Sequence, residues 1–127
     1  MIVSHVDNIK GTDADASGPG WRSLRFGLKS DKLGFTMTET TIDAGVDHIL
    51  WYKHHIEAVY VISGEGEIEN FETEEIHPIK PGSFYALNDN DRHRFASFTE
   101  MKLICTFDPP LSGRETHDED RSYLPDL

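Results

Sequence analysis

The sequence of 127 residues contains a single cysteine, Cys105, so the chain cannot form an internal disulfide. One unpaired thiol is typical of a reducing compartment, whereas small secreted domains often depend on several disulfides. Long apolar runs are also missing, and no stretch approaches the roughly 18 residues that a membrane span requires. Residues 1–6 show neither a basic segment nor an apolar run of signal-peptide length. The sequence therefore predicts a soluble cytoplasmic protein without a membrane partner.

Basic residues are scarce, since 12 Lys and Arg stand against 23 Asp and Glu and give a formal net charge of −11. An acidic surface repels phosphate groups, so nucleic acids and anionic membranes are not expected as partners. A merely solvated acidic surface and a cytoplasm with raised salt both explain this charge, and composition does not choose between them. Hydrophobic residues make up 37% of the chain, which suits one folded domain over residues 1–127.

Helical periodicity is almost absent, and short segments of alternating apolar and polar residues take its place. Turn residues separate these segments, notably at residues 64–66, 81–82 and 88–91. Strands are predicted over residues 21–29, 35–41, 48–52, 57–63, 66–71, 75–79, 83–87, 92–97 and 101–107. About nine strands at this spacing predict an all-β fold, either an antiparallel sandwich or a barrel.

Two segments lack a regular pattern, residues 10–20 and residues 109–127. A chain terminus is normally polar and poorly ordered. The second segment is unusual because it contains Leu111, Tyr123 and Leu124. We therefore expect residues 109–127 to form an irregular tail that packs back onto the domain near its open end.

Two spacings in the middle of the chain point to a metal site. Glu57 is followed after six residues by Gly64, and His93 comes eleven residues after Gly82. These spacings resemble the two motifs of the cupin superfamily, small double-sheet barrels whose inward-facing motif residues bind a metal ion. The His-x-His pair that usually precedes the glutamate is missing, because residues 51–53 are Trp, Tyr and Lys. The usual site of three histidines and one glutamate is therefore excluded.

Strand alternation supplies a replacement for the missing pair. If His93 points inward, Tyr85 on the preceding strand of the hairpin can point inward as well. Together with Glu57 these side chains would offer a carboxylate, a phenolate and an imidazole, a set that suits Fe(II), Mn(II) or Zn(II). Three protein ligands leave positions open for a substrate. Each residue also fits an ordinary structural role, because surface glutamates, core tyrosines and solvated histidines are common.

Segments along nearly the whole chain resemble the ectoine synthase family of cupins. They are DNIKGT (7–12), GWRS (20–23), WYK (51–53), EAVY (57–60), GEGEIE (64–69), HPI (77–79), PG (81–82), YAL (85–87), DRH (91–93), PPL (109–111), GRE (113–115) and HDED (117–120). The resemblance implies a cupin-type double-sheet antiparallel β-barrel, jelly-roll-like with little helix. It implies closure of N-γ-acetyl-L-2,4-diaminobutyrate to L-ectoine with loss of water, in osmoprotectant biosynthesis under stress.

The resemblance also implies roles for individual residues. The metal would be iron(II), with zinc or manganese as alternatives, and its ligands would be Glu57, Tyr85 and His93. Proton transfer would fall to Tyr52, Glu115 and His117, with acid and base left unassigned. The substrate would be bound by Trp21, Arg25, Thr40, Cys105 and Phe107. A homodimer is implied as well.

Several residues near these positions fit a structural role equally well. A single buried cysteine such as Cys105 is commonly a small hydrophobic residue. His54 and His55 could support the ligands or line the pocket, whereas His5, His48 and His77 are expected to be surface or structural residues. Two other functions also stay open, a cupin oxygenase or isomerase and a non-catalytic ligand-binding cupin. A cupin that acts as a sensor is usually fused to a DNA-binding domain, and the sequence shows no helix-turn-helix pattern.

Overall fold

Ten strands build the part of the chain that the computed structural model describes, residues 1–112. They are β1 (Asp15–Gly18), β2 (Trp21–Phe26), β3 (Thr36–Ile42), β4 (Asp47–Leu50), β5 (Ile56–Ser63), β6 (Gly66–Asn70), β7 (Ile76–Ile79), β8 (Phe84–Leu87), β9 (His93–Ser97) and β10 (Met101–Asp108). The helical elements of these residues are one turn of α-helix, α1 (Val6–Ile9), and a short 3₁₀ turn at Lys29–Asp31. Neither helix is long and apolar enough to span a membrane.

The strands form two sheets in which every neighbouring pair is antiparallel. The larger sheet has the order β1-β2-β3-β10-β5-β8, and the smaller has the order β4-β9-β6-β7. Within residues 1–112 no ladder of hydrogen bonds joins the two sheets, so they face each other without closing into a barrel. The prediction of an all-β, double-sheet antiparallel fold with little helix is confirmed.

Alternating residues of the central strands fill the space between the sheets. Strand β10 lies between β3 and β5, and it buries its odd-numbered side chains from Met101 to Phe107. Val59 and Val61 of β5 face the same core, and Ile68 and Phe95 reach it from the smaller sheet. Full burial of one such side chain stabilises the fold by roughly 1.5–3 kcal/mol. The period of two therefore decides which residues can reach the interior.

Strand β1 is absent from the strands that the sequence predicts. The pattern of residues 10–20 predicts irregular chain, but β1 lies within them and pairs with β2, with Asp15 opposite Leu24. Its sequence, Asp-Ala-Ser-Gly, consists of residues with low strand propensity. The strand is held by its partner, since the Arg22 guanidinium donates to both carboxylate oxygens of Asp15 at 3.0 and 2.8 Å.

The core continues beyond the last strand at Leu111, which is fully buried. Its backbone N–H donates to the Thr36 hydroxyl at 2.8 Å, and its carbonyl accepts from the N–H of Lys29 at 2.6 Å. The same hydroxyl donates to the carbonyl of Gly27 at 2.7 Å. The chain after β10 is therefore tied to both ends of the β2–β3 connection. Residues 113–127, most of the predicted tail, lie outside the described residues.

Candidate active site

A cavity of about 290 Å³ lies between the two sheets. This volume suits a small molecule, and the wall combines apolar side chains with a few polar groups, as small-molecule sites usually do. Both sheets and the loop between β4 and β5 contribute to it. The lining residues are Pro19, Trp21, Ser23, Thr40, Ile42, Val46, His48, Leu50, Tyr52, Glu57, Tyr85, His93, Phe95, Leu103, Cys105 and Phe107.

The three proposed metal ligands reach this cavity from both sheets. Glu57 is on β5, opposite Leu87 of β8, and Tyr85 is opposite Val59, so Glu57 and Tyr85 share the inner face of adjacent strands. His93 begins β9 in the smaller sheet, between Leu50 and Asn70. The spacings in the sequence therefore place a carboxylate, a phenol and an imidazole around one cavity.

Glu57 is buried, and burial raises its pKa to about 8. The Cys105 thiol donates a hydrogen bond to this carboxylate, which lowers the pKa but only partly offsets the burial. A carboxyl group in such a position is protonated at neutral pH unless a cation compensates its charge.

Burial disfavours the ionised form of Tyr85 as well. Burial raises the pKa of its phenol well above the usual value, and the charge of Glu57 raises it further. Two neighbouring acids whose ionisation is disfavoured by burial are a good environment for a cation, because a positive charge between them favours both ionised forms.

His93 is fixed in a neutral form that suits metal binding. Its Nδ1 lies 3.0 Å from the carbonyl oxygen of Asp91. Since a carbonyl oxygen only accepts, Nδ1 carries a proton, and in the neutral ring Nε2 then keeps its lone pair. Burial lowers the pKa of His93, although the Asp91 carbonyl raises it in part. The ring is therefore available as a neutral nitrogen ligand.

Oxygen and nitrogen donors of this kind fit a divalent metal ion. Among residues 1–112, no three His, Cys, Asp or Glu side chains cluster closely enough to hold a metal. Among the described residues, a metal ion held by Glu57 and His93 would therefore take the Tyr85 oxygen as its third donor. The fit rests on the chemistry of the donors, which are two acids whose ionisation burial disfavours and a neutral imidazole.

Aromatic rings form the wall beside His93. Tyr52 is buried, with its ring centroid 5.6 Å from Phe107 in an edge-to-face arrangement and 6.4 Å from the His93 ring. His55 also packs edge-on against Phe107, at 6.2 Å. Edge-to-face pairs hold rings in defined orientations, so this side of the cavity is an aromatic wall.

Side chains with hydroxyl groups lie on β2 and β3 of the larger sheet, and those of Ser23 and Thr40 line the cavity. The Thr38 and Thr40 hydroxyls are 2.9 Å apart, and Thr40 donates to the Ser23 hydroxyl at 3.2 Å. Burial, followed by the charge of Glu57, raises the pKa of the Cys105 thiol well above its usual value. The Thr38 and Thr40 hydroxyls lower this pKa in part, but the thiol stays protonated. Cys105 is thus a polar contact of Glu57 rather than an activated nucleophile.

A family model described as ectoine synthase matches residues 1–126. The chain belongs to the ectoine synthase family. The L-ectoine synthase of Desulfosudis oleivorans is 52% identical over 124 residues, which cover 97% of this chain and 96% of that protein. An ectoine synthase structure from P. lautus superimposes with a TM-score of 0.88 at 43% identity, covering 98% of this chain and 91% of that one. The protein is therefore an enzyme of the lyase class, as predicted.

The fold agrees with cupins outside the ectoine synthase family. An RmlC-like cupin from Shewanella frigidimarina has a TM-score of 0.63 at 20% identity, covering 75% of this chain and 81% of that one. Identity this low supports the fold alone. The predicted cupin fold is confirmed, in the form of two facing sheets.

Most residues predicted for an ectoine synthase site meet at the cavity. The predicted residues on its wall are Trp21, Thr40, Tyr52, Glu57, Tyr85, His93, Cys105 and Phe107. Arg25 is buried on the same inner face of β2 as Trp21, but it is not among the lining residues. Glu115 and His117 lie outside the described residues. The roles of these residues in the ectoine synthase reaction stay predictions.

The sequence pattern misses several lining residues. It predicts His48 to be a surface or structural residue, but His48 lies on the cavity wall beside Leu50. A signal exists, because alternation along β4 places residues 48 and 50 on one face. Ser23 shares the inner face of β2 with Trp21 in the same way.

Proposed function

We propose that this protein closes N-γ-acetyl-L-2,4-diaminobutyrate to L-ectoine in the cavity between the sheets. The α-amine nitrogen bonds to the acetamide carbon of the same molecule, and the carbonyl oxygen leaves as water with the two amine protons. The observation that carries the proposal is the match to ectoine synthases over nearly the full length of this chain and of its relatives. The cavity and its buried acids give that match a physical basis.

The metal of this site is proposed to be iron(II), held by Glu57, Tyr85 and His93. When bound, the ion supplies a Lewis acid that polarises an amide carbonyl without a change of oxidation state. Zinc and manganese suit the same donors. Support comes from the donor chemistry and from the neutral, oriented imidazole of His93.

The protein's own side chains must fold the substrate so that its two ends meet. A well-oriented intramolecular reaction gains up to roughly 7–11 kcal/mol from positioning. We assign this positioning to Trp21, Thr40, Cys105 and Phe107 on the cavity wall, and to Arg25, which is buried further along the same face of β2. The aromatic wall also excludes water, which matters because water is a product of the closure.

Proton transfer needs groups that accept a proton from the amine and deliver protons to the departing oxygen. Tyr52 is proposed for this role because it is a buried hydroxyl-bearing ring on the cavity wall, next to His93. Glu115 and His117 are proposed as the other participants on the resemblance to the family.

The experiment is to incubate the iron(II)-loaded protein anaerobically with the acetylated diaminobutyrate and to measure ectoine by NMR. Ectoine should form with the wild type. Tyr85→Phe keeps the ring but removes the oxygen ligand, so metal content and product should fall together. Absence of ectoine would contradict the proposal. Oxygen consumption would then indicate an oxygenase, and tight binding without turnover would indicate a binding protein.

The protein is further proposed to be a cytoplasmic homodimer that contributes to osmotic stress tolerance. The single cysteine and the net charge of −11 support the compartment. The outer face of β5 and β8 supports the dimer. It presents Tyr60 opposite Phe84, which are 47% and 67% exposed, and Ile62, which is 46% exposed. Contiguous apolar side chains of this kind are typical of interaction surfaces.

A further inference from the structure

Hydrogen bonds from one residue join two segments that carry site residues. The segments are the loop between β4 and β5, residues 51–55, and the turn between β8 and β9, residues 88–92. The side-chain amide of Asn90 donates to the backbone carbonyl of Tyr52 at 3.1 Å and to that of His55 at 3.2 Å. The indole Nε1 of Trp51 donates to the Asn90 carbonyl at 2.9 Å. The loop and the turn are thus bonded in both directions.

Asparagine meets two demands at this position. The backbone of Asn90 is left-handed, with φ of 52°, a conformation that glycine and asparagine tolerate best. Both partners of its side chain are carbonyl oxygens, so only an NH₂ group with two protons can bond them together. Glycine satisfies the backbone demand alone. Aspartate keeps the size of the side chain but brings only acceptor oxygens against the two carbonyls.

The two segments place Tyr52 and His93 against each other. Tyr52 forms the cavity wall with its ring 6.4 Å from that of His93. His93 follows Asn90 by three residues, and its Nδ1 donates to Asp91 within the same turn. The loop around Tyr52 has no strand ladder of its own, since β4 ends at Leu50 and β5 begins at Ile56. Asn90 therefore supplies two direct hydrogen bonds from the turn that precedes His93 to this loop.

We propose that Asn90 is a positioning residue that fixes Tyr52 relative to His93 in the assembled site. The proposal rests on the proposed function of Tyr52 in proton transfer and deepens it. Asn90 is not among the residues that line the cavity. It acts through the backbone of residues 52 and 55, which sets the direction of the Tyr52 ring. Misplacement of a reacting group by about 1 Å can cost on the order of 100-fold in rate.

The first experiment compares Asn90→Gly with Asn88→Gly. Asn88 is an exposed asparagine of the same turn, and within residues 1–112 no side-chain hydrogen bond of Asn88 is found. Asn90→Gly should lower kcat by about tenfold or more, with a smaller change in KM, because the misplaced group acts in the chemical step. Asn88→Gly should retain wild-type kinetics. Equal kinetics of Asn90→Gly and wild type would overturn the proposal. Asn90→Asp, which retains the side-chain volume, should repeat the loss if Asn90→Gly folds poorly.

A double-mutant cycle with Tyr52→Phe separates positioning from a general structural effect. If Asn90 acts through Tyr52, Asn90→Gly should change kcat little once the Tyr52 hydroxyl is gone. An equal fold-loss in both backgrounds would overturn the proposal. Thr99→Ala serves as a second control, because it removes a hydrogen bond to the N–H of Glu65 in a turn outside the cavity wall. It should leave kcat unchanged.

Hydrogen exchange tests this inference independently of the proposed function. Amides of residues 51–55 should exchange faster in Asn90→Gly than in wild type, and at the wild-type rate in Asn88→Gly. This result is independent of ectoine formation. If the wild type makes no ectoine, the reaction assignment fails while exchange still reports on the loop. Unchanged exchange in Asn90→Gly would overturn the positioning role whatever the reaction.

Discussion

Glu57 is a residue at which burial opposes ionisation. Its carboxyl lies in the cavity wall with a thiol as its hydrogen-bond donor, and burial raises its pKa to about 8. Metal-free protein at neutral pH therefore holds Glu57 mainly protonated. Binding of a divalent ion must release this proton, so metal affinity and proton binding are linked at this residue.

The first prediction concerns the pH dependence of stability in the metal-free protein. The folded-state pKa of Glu57 is above its ordinary value of 4.5, so the folded state binds the extra proton. The contribution of Glu57 is fully present below about pH 4.5 and is lost as the pH rises through about 8, by an amount of a few kcal/mol. Glu57→Gln cannot ionise and should lack this loss.

Urea unfolding of the metal-free wild type and of Glu57→Gln between pH 5 and about 9 measures the effect. The difference between the two free energies of unfolding isolates Glu57, because the other carboxyl groups are common to both proteins. Glu57→Gln should gain in relative stability as the pH rises. A difference that is flat across this range would show that Glu57 is ionised without metal.

At the scale of elements, Leu111 shows that the core includes chain beyond the last strand. Its side chain is fully buried, and its backbone is bonded to the connection between β2 and β3. Leu111→Ala leaves a cavity and should lower the free energy of unfolding by about 2–5 kcal/mol. Leu33→Ala is the matched control, because Leu33 is 45% exposed, and it should change stability by less than about 1 kcal/mol. Chemical unfolding of both variants measures these losses. If Leu111→Ala lowers the free energy of unfolding as little as Leu33→Ala does, the role of Leu111 in the core is contradicted.

Elements with a local signal can be predicted from the sequence, and those made by distant contacts cannot. The period of two locates nine strands to within a few residues, and the motif spacings place Glu57 and His93 on one cavity. Strand β1 has no such signal, because pairing with β2 overrides the weak propensity of its residues. Asn90 is recognisable only as a turn residue, since its bonds to Tyr52 and His55 span more than 30 positions. Propensity and spacing report on neighbours, whereas such bonds depend on the finished fold.

At the scale of the molecule, the acidic charge and the outer face of the larger sheet act in opposite directions. A net charge of −11 makes two copies repel each other, while the exposed Tyr60, Ile62 and Phe84 favour association. These three side chains lie beside β8, which is an edge strand of the larger sheet among the described residues. An edge strand offers unpaired backbone groups to a second chain. Salt screens the repulsion without weakening apolar contacts, so association should strengthen as the salt concentration rises.

The last prediction follows from that balance. Phe84→Glu puts a negative charge in the centre of the apolar surface, so the variant should be monomeric where the wild type is dimeric. The desolvation of an unpaired carboxylate at an interface opposes association. Ile49→Glu is the control, because Ile49 is 46% exposed on β4 of the other sheet and undergoes the same change from an apolar side chain to a carboxylate. Light scattering at low and raised salt measures the mass. A monomeric wild type, or a dimeric Phe84→Glu, would contradict an interface on this face.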